Sequence, residues 1–350
     1  MDLLMQQRIA LLAFAVSVLG CVPELDSDEA TVREPRVLAI MADPAEAAPG
    51  KQVRYRALVA DASGTREDLA PTWFHCLAQR PLAELGPVSR DCLNAERGRL
   101  RALGQGLGLE ASLPADACAL FGPNPPLPVG DEPPGRPVDA DESGGYKLPV
   151  VVGLDSGRGV SAGLYEQRIS CGLAGVAPAV SLDYSLRYHA NENPELRELR
   201  VRRADGSLET VAAGQAIAVG PSERVELEAV WPDCPASDTC GDAVCGADES
   251  RLTCAADCEP MRGCAGAERY LYFDSQRDAL VARREALRLA WYTTAGSFDE
   301  ERTGAAADEL RSTSTNGFRA AEQPTAGTLW LVIRDSRGGV GTAQWQWSLR

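Results

Sequence analysis

Short runs in which apolar and polar side chains alternate, each closed by a Pro, Gly or Asp turn, recur along most of this chain, and they constrain its fold more than any other feature. Alternation with a period of two sends successive side chains to opposite faces of an extended strand. Residues 36–44 (RVLAIMADP) and 52–60 (QVRYRALVA) are two such runs joined by a Pro-Gly turn, with Val53, Tyr55, Ala57 and Val59 on one face, as in a half-buried antiparallel pair. Further strands are expected at 71–76, with Trp73 as core, at 146–152, at 163–171 and at 180–188. In the last run Val180, Leu182, Tyr184, Leu186 and Tyr188 alternate with polar or small residues. From 77 to 145, Pro and Gly dominate, including FGPNPPLPVGDEPPG, so the reading there is one long loop outside any regular sheet. The same grammar restarts at 196–203, turns at DGS (205–207), and continues at 216–219, 225–231, 269–273, 286–292, 328–335 and 343–350.

Eleven cysteines divide into three sets. Cys21 stands alone; Cys76, Cys92, Cys118 and Cys171 are spread out; Cys234, Cys240, Cys245, Cys254, Cys258 and Cys264 crowd into one segment. Without Cys21 the number is even, which in an oxidising compartment implies paired disulfides. Three pairings of the first four are open, and the expected strand placement leans to Cys76–Cys92 and Cys118–Cys171. The crowded segment has too few large apolar residues for a core, so cross-links must replace burial. Zinc is disfavoured there because the segment has neither a C-x-x-C pair nor histidine. Calcium stays open, since Asp238, Asp242, Asp248, Glu249 and Asp257 supply hard oxygen ligands, although acidic residues on a small module are commonly just solvated. At 350 residues the chain suits two domains, each large enough for its own core. The expected fold is therefore all-β: two Ig-like β-sandwich domains at 36–190 and 191–350, with a disulfide-rich insertion at 232–266 in the second.

The chain opens with a sorting signal. Residues 9–20 (IALLAFAVSVLG) are uncharged, mostly apolar, preceded by Arg8 and too short to span a bilayer. They end in Val18-Leu19-Gly20-Cys21, which resembles a bacterial lipobox, with an aliphatic residue three places before the cysteine and a small one just before it. That resemblance implies a signal peptide at 1–20, acylation of Cys21 with palmitate-like chains, and anchoring to a membrane through lipid. Val22 lacks the Asp that, in the lipoproteins it resembles, favours inner-membrane retention, so the outer membrane of the cell envelope is the expected location. Residues 21–35 are acidic and read as a flexible tether.

A net charge of −15 repels phosphate backbones, and no basic stripe counters it, so nucleic acid is not an expected partner. One catalytic-looking pattern exists. Gly159 to Gly163 fits G-x-S-x-G around Ser161, and Asp183 and His189 follow in the order of an α/β-hydrolase triad. The elbow needs a strand before the serine and a helix after it, whereas here the pattern sits in a Gly-rich turn that runs into a strand. Asp183 and His189 would also share one strand, too far apart to bond. His75 adjoins Cys76 on a strand, with side chains on opposite faces, and so cannot form a nucleophile pair with it. Gly104 to Gly108 (GQGLG) lacks the Lys-Ser or Lys-Thr of a phosphate loop. Trp345 and Trp347 share a face and read as core in preference to an exposed sugar platform.

Two resemblances add to this. Cys240-Gly241-Asp242, Cys245, Glu249, Cys254 and Asp257-Cys258 resemble a short cysteine-rich repeat of secreted and envelope bacterial proteins, with Ala243 and Ala255 where that repeat has Gly and Pro. It implies an extracellular module without catalysis. RVLAIMADPAEAAPG with QVRYRALVADASG, WFHC, FGPNPPLP, NENPELREL, WYTTAGSFDEERTG and LVIRDSRGGVG resemble uncharacterised myxobacterial envelope lipoproteins with Ig-like domains. The expectation is a non-catalytic binding or structural protein of the envelope, with no cofactor and with a protein or carbohydrate ligand at the cell surface. The alternatives are a calcium-dependent adhesive or carbohydrate-binding module and a serine hydrolase using Ser161.

Overall fold

The computed structural model describes residues 29–80, 84, 88–93, 98–123, 130, 141–157, 159–234 and 263–350. The first sandwich contains β1 (Arg36–Asp43), β2 (Glu46–Ala47), β3 (Gln52–Asp61), β4 (Gly64–Thr65), β5 (Thr72–Cys76), β6 (Leu100–Gln105), β7 (Gly108–Ser112), helix α1 (Ala117–Phe121), β8 (Gly145–Asp155) and β9 (Val160–Ser170), with helix α2 (Pro178–Arg187) after it. One sheet pairs β3 with β1, β4 and β7, and the other runs β2-β9-β8-β5-β6. Only the β2–β9 edge of this second sheet is parallel. Trp73 on β5 is fully buried, and the Tyr146 hydroxyl at the start of β8 accepts from the Asp141 amide five residues upstream. A core tryptophan on the third main strand and a tyrosine corner are immunoglobulin hallmarks.

The second sandwich repeats this order. This half of the chain contains β10 (Glu198–Arg202), β11 (Leu208–Val211), β12 (Ala216–Val219), β13 (Arg224–Val230), the hairpin strands β14 (Arg269–Asp274) and β15 (Ala279–Arg284), β16 (Leu287–Thr293), β17 (Ser297–Phe298), β18 (Arg302–Ala305), β19 (Thr313–Arg319), β20 (Ala326–Asp335) and β21 (Val340–Leu349). The sheets are β11-β10-β13-β19-β17 and β12-β21-β20-β16-β18, again with one parallel edge pair, β12 on β21. Trp291 on β16 occupies the place of Trp73 and is likewise buried. The all-β expectation of two Ig-like sandwiches thus holds, and both Trp345 and Trp347 lie in the second core.

Several expectations are corrected. Residues 180–188 are not a strand, because α2 occupies 178–187 with Pro178 at its start, where a missing N–H costs nothing. Val180, Tyr184 and Tyr188 are also spaced by four, and this face packs on Leu271 and Leu280 while Leu182 and Leu186 stay exposed. The 77–145 stretch is not all loop: it contains β6, β7 and α1. Strands β6 and β7 are short and largely exposed, and Gly104 and Gly106 take positive φ between them, so the apolar alternation that marks a half-buried strand is weak. Strands β18 and β19 are additions to the expected set, and β19 lacks apolar alternation because it turns Ser314 and Asn316 inward beside Phe318, with Asn316 satisfied by the Glu300 backbone. Residues 269–273 do not join the sandwich; β14 pairs with β15 in a separate hairpin.

The tether reading also fails over 29–32. Val32 is fully buried with Leu38, Ala60 and Trp330, and its amide donates to Thr293 O at 2.8 Å, while the Thr293 amide donates to Ala30 O at 2.9 Å. An apolar Val can do what the acidic residues around it cannot, and it docks this strap on the second sandwich.

The two sandwiches are joined face to face. On β16 and β20, Leu289, Trp291, Leu331 and Ile333 enter the second core, whereas Ala290 and Val332 enter the same cluster as Ala39 and Ile40 of β1. A strand buried on both sides needs no polar face, which accounts for the unbroken apolar run LWLVI within β20.

Candidate functional site

The densest chemistry among the described residues lies at one pole, where both sandwiches meet α2 and the β14–β15 hairpin. Beside β9, Arg168 Nε donates to Glu46 Oε2 at 2.9 Å, and both side chains are buried. The same carboxylate accepts from Ser170 Oγ (2.8 Å), the Asn191 amide (3.0 Å) and the Tyr188 hydroxyl. Burial pushes the Glu46 carboxyl up, but Arg168 and these donors outweigh it and hold it below the ordinary carboxylate value. Gly145 makes room for the guanidinium, since a Cβ there would lie 2.0 Å from Arg168 Cζ.

Asn191 carries the network into the second sandwich. Its Nδ2 donates to Asp335 Oδ2 at 3.1 Å, and Asp335 Oδ1 accepts from the amides of Arg337, Gly338 and Gly339 in the β20–β21 turn. Arg337 Nε donates to Glu285 Oε1 at 2.7 Å, its Nη2 bonds Glu268, and its guanidinium stacks 4.8 Å from the Tyr270 ring centroid. Glu268 also accepts from the amides of Glu192 and Cys264, tying the inter-sandwich segment to the base of the cysteine-rich insertion. One guanidinium cannot hold every neighbouring carboxylate ionised. Burial, with Asp335 and Glu268 close by, drives Glu285 well above its ordinary value, and burial raises Glu268 too. This arrangement fixes elements to one another; its donors and acceptors point inward, as in a structural network.

The serine pattern is not assembled as an elbow. Ser161 lies inside β9, opposite Leu154, and no helix follows Gly163. Its buried hydroxyl has no hydrogen-bond partner among the described residues. Asp183 pairs instead with Arg187 at 3.2 Å along α2, and His189 Nε2 lies 3.7 Å from Glu192. The premise that Asp183 and His189 share a strand was wrong, while the absence of strand-serine-helix geometry stands.

His75 is buried with its Nε2 3.3 Å from the Tyr55 hydroxyl, and burial together with Arg101 lowers its pKa to about 4, leaving a neutral core histidine. Its neighbour Cys76 is bonded to Cys92, and Cys118 to Cys171, the pairing the strand order favours. A third disulfide, Cys234–Cys264, closes the base of the insertion. Of this GQGLG stretch, Gly104 and Gln105 end β6, Gly106 and Leu107 make the turn, and Gly108 opens β7. Cys21 and the signal peptide expected at 1–20, Cys240, Cys245, Cys254 and Cys258, and the calcium candidates Asp238, Asp242, Asp248, Glu249 and Asp257 all lie outside the described residues.

Among the described residues no group of three or more His, Cys, Asp or Glu is placed to hold a metal, and no helix is long and apolar enough to cross a membrane. A cleft of about 380 Å³ at the sandwich junction is lined by Met41, Leu58, Arg56, Glu67 and Thr342, among others. Sequence reading missed both this cleft and the polar junction. Their residues lie far apart in the chain, and isolated Glu and Arg codons carry no spacing signal.

No family model matches the chain, and no curated protein does. Solved structures with partial likeness include Salmonella alpha-2-macroglobulin reacted with methylamine, at 11% identity over 90% of this chain and 17% of that one, TM-score 0.20. The fibronectin(III)-like modules of Clostridium thermocellum CbhA align at 8% identity over 89% and 94%, TM-score 0.19. The Yersinia pseudotuberculosis adhesin InvE aligns at 8% over 88% and 58%, TM-score 0.19. The chain therefore spans only 17% of the macroglobulin's length. Likenesses this remote carry no argument, and the architecture rests on the strand order itself.

Proposed function

We propose that this protein is an exported lipoprotein, held to the cell envelope through acylated Cys21, in which two fused Ig-like sandwiches serve a non-catalytic binding or structural role. The observation that carries the reading is the set of disulfides Cys76–Cys92, Cys118–Cys171 and Cys234–Cys264 in a chain whose apolar 9–20 segment ends at a cysteine. Stable disulfides belong to oxidising compartments, and a short apolar leader with a lipobox-like end is the route to one. Several acyl chains on one cysteine attach a protein firmly, because each buried CH₂ contributes about 0.8 kcal/mol. The buried polar junction supports the non-catalytic part, since its charged groups join elements and do not line an open cleft. A protein or glycan is the class of ligand that suits an envelope platform with a net charge of −15, and nucleic acid is not.

The test is the intact mass of the protein extracted from its native membranes, with free thiols alkylated beforehand. The expected species starts at Cys21, carries acyl groups and has no alkylated thiol, and Cys21→Ser should move the protein out of the membrane fraction. An unprocessed chain with many alkylated cysteines would overturn the reading.

A further inference from the structure

The strap and the hairpin lie at opposite ends of one strand. Val32 and Ala30 bond Thr293, the last residue of β16, and Arg302 Nη2 lies 3.7 Å from Glu29 beside them. The β3–β4 turn is at this end too: Thr65 Oγ1 accepts from Trp330 Nε1 at 2.9 Å, and a Cβ on Gly64 would sit 3.4 Å from Thr328 Oγ1. Glu285, the Glu268–Arg337 pair and the Cys234–Cys264 staple gather instead at the Leu287 end of β16. The seven residues of β16 separate the two ends by about 20 Å at roughly 3.3 Å per residue. Strand β1 spans the same two poles in the opposite direction to β16, from Arg36 beside the strap to Asp43, just short of Glu46 in the polar junction. Helix α2 belongs to the junction pole, through Tyr188 on Glu46 and Tyr184 on Ser143 O.

Few residues separate Cys21 from the docked strap. From residue 21 to residue 29 there are 29 − 21 = 8 residue steps, which in any conformation reach no more than about 28 Å. An anchor at Cys21 thus keeps the Glu29 pole within about 28 Å of the lipid, while the bilayer excludes the folded body from its own volume.

We propose that the acylated protein stands on its Glu29 pole, so that the β3–β4 turn faces the lipid and the pole carrying α2, the β14–β15 hairpin and the Cys234–Cys264 staple is turned away from it. This rests on the lipoprotein reading above. It places the exposed Leu182 and Leu186 of α2 on the side away from the lipid. The buried Glu46–Arg168 and Arg337–Glu268 pairs then have a mechanical role, since they hold the hairpin and α2 to both sandwiches at the end farthest from the anchor.

The experiment uses full-length acylated protein in phosphatidylethanolamine and phosphatidylglycerol vesicles bearing an acceptor dye on the outer headgroups. A donor amino acid is placed singly at Ala62 or Leu186, both exposed, with acylation checked by mass and folding by melting temperature. Transfer from position 62 should exceed that from position 186 by roughly twofold, following a difference of about 20 Å. Equal or reversed transfer in acylated protein overturns the orientation and leaves the lipid anchor standing. Protein from the same host membranes with no acyl group on Cys21 overturns both.

Discussion

Arg337 is the residue on which most of the polar junction depends. It is buried between Glu285, Glu268 and the Tyr270 ring, and its loss leaves the acid groups of both glutamates buried without their charged hydrogen-bond donor. Arg337→Ala should destabilise the protein by about 3–5 kcal/mol in chemical denaturation, the range for breaking a buried pair from one side. Glu285 tests the acid excess. Its folded carboxyl is raised well above the ordinary 4.5, so the native state holds a proton that the unfolded chain releases. Its contribution is fully present below about pH 4.5 and is lost as pH rises through the folded pKa. Glu285→Gln should therefore gain stability relative to wild type as pH rises from 4.5 toward neutrality, with little difference at the acid end. A constant gap between the two unfolding curves across that range would show that Glu285 is ionised in the folded protein.

At the scale of elements, the disulfides and α2 separate what local pattern tells from what it conceals. Cys118–Cys171 closes a separation of 53 residues and Cys76–Cys92 one of 16. Chain entropy makes the longer closure worth about 1 kcal/mol more, so Cys118→Ala/Cys171→Ala should lower stability further than Cys76→Ala/Cys92→Ala in matched urea melts. Strands such as β3 and β13, whose burial alternates along much of their length, were legible because every second residue there enters a core. Helix α2 was not, because V-S-L-D-Y-S-L-R-Y satisfies period two and period four together, and only contact with Leu271 and Leu280 chooses between them. Strand β19 was concealed for another reason: its inward Asn316 is made tolerable by bonds to Glu300, a partner 16 residues away.

Across the whole molecule, the sandwiches share apolar surface as well as the polar pole. Ala290, Val332 and Val340 belong to the first core's cluster, Arg334 donates to Leu38 O, and the Val32 strap crosses between them. Such an interface couples the two bodies, so calorimetry should give one transition with equal calorimetric and van't Hoff enthalpies. Two separated transitions would mean that each sandwich melts alone and that the junction contributes little.

Sequence alone determined the all-β class, the doubled sandwich, the core tryptophans and the division of the cysteines, because alternation, turn residues and parity are local properties carried by neighbouring residues. Tertiary structure decided which way α2 folds, that the β14–β15 hairpin stands apart, that the strap docks, and that Glu46, Arg168, Glu268, Glu285, Asp335 and Arg337 meet at one pole. Those outcomes turn on burial and pairing between residues as far as 272 positions apart, and an ionisable side chain reads the same in sequence whether water or a distant partner will satisfy it.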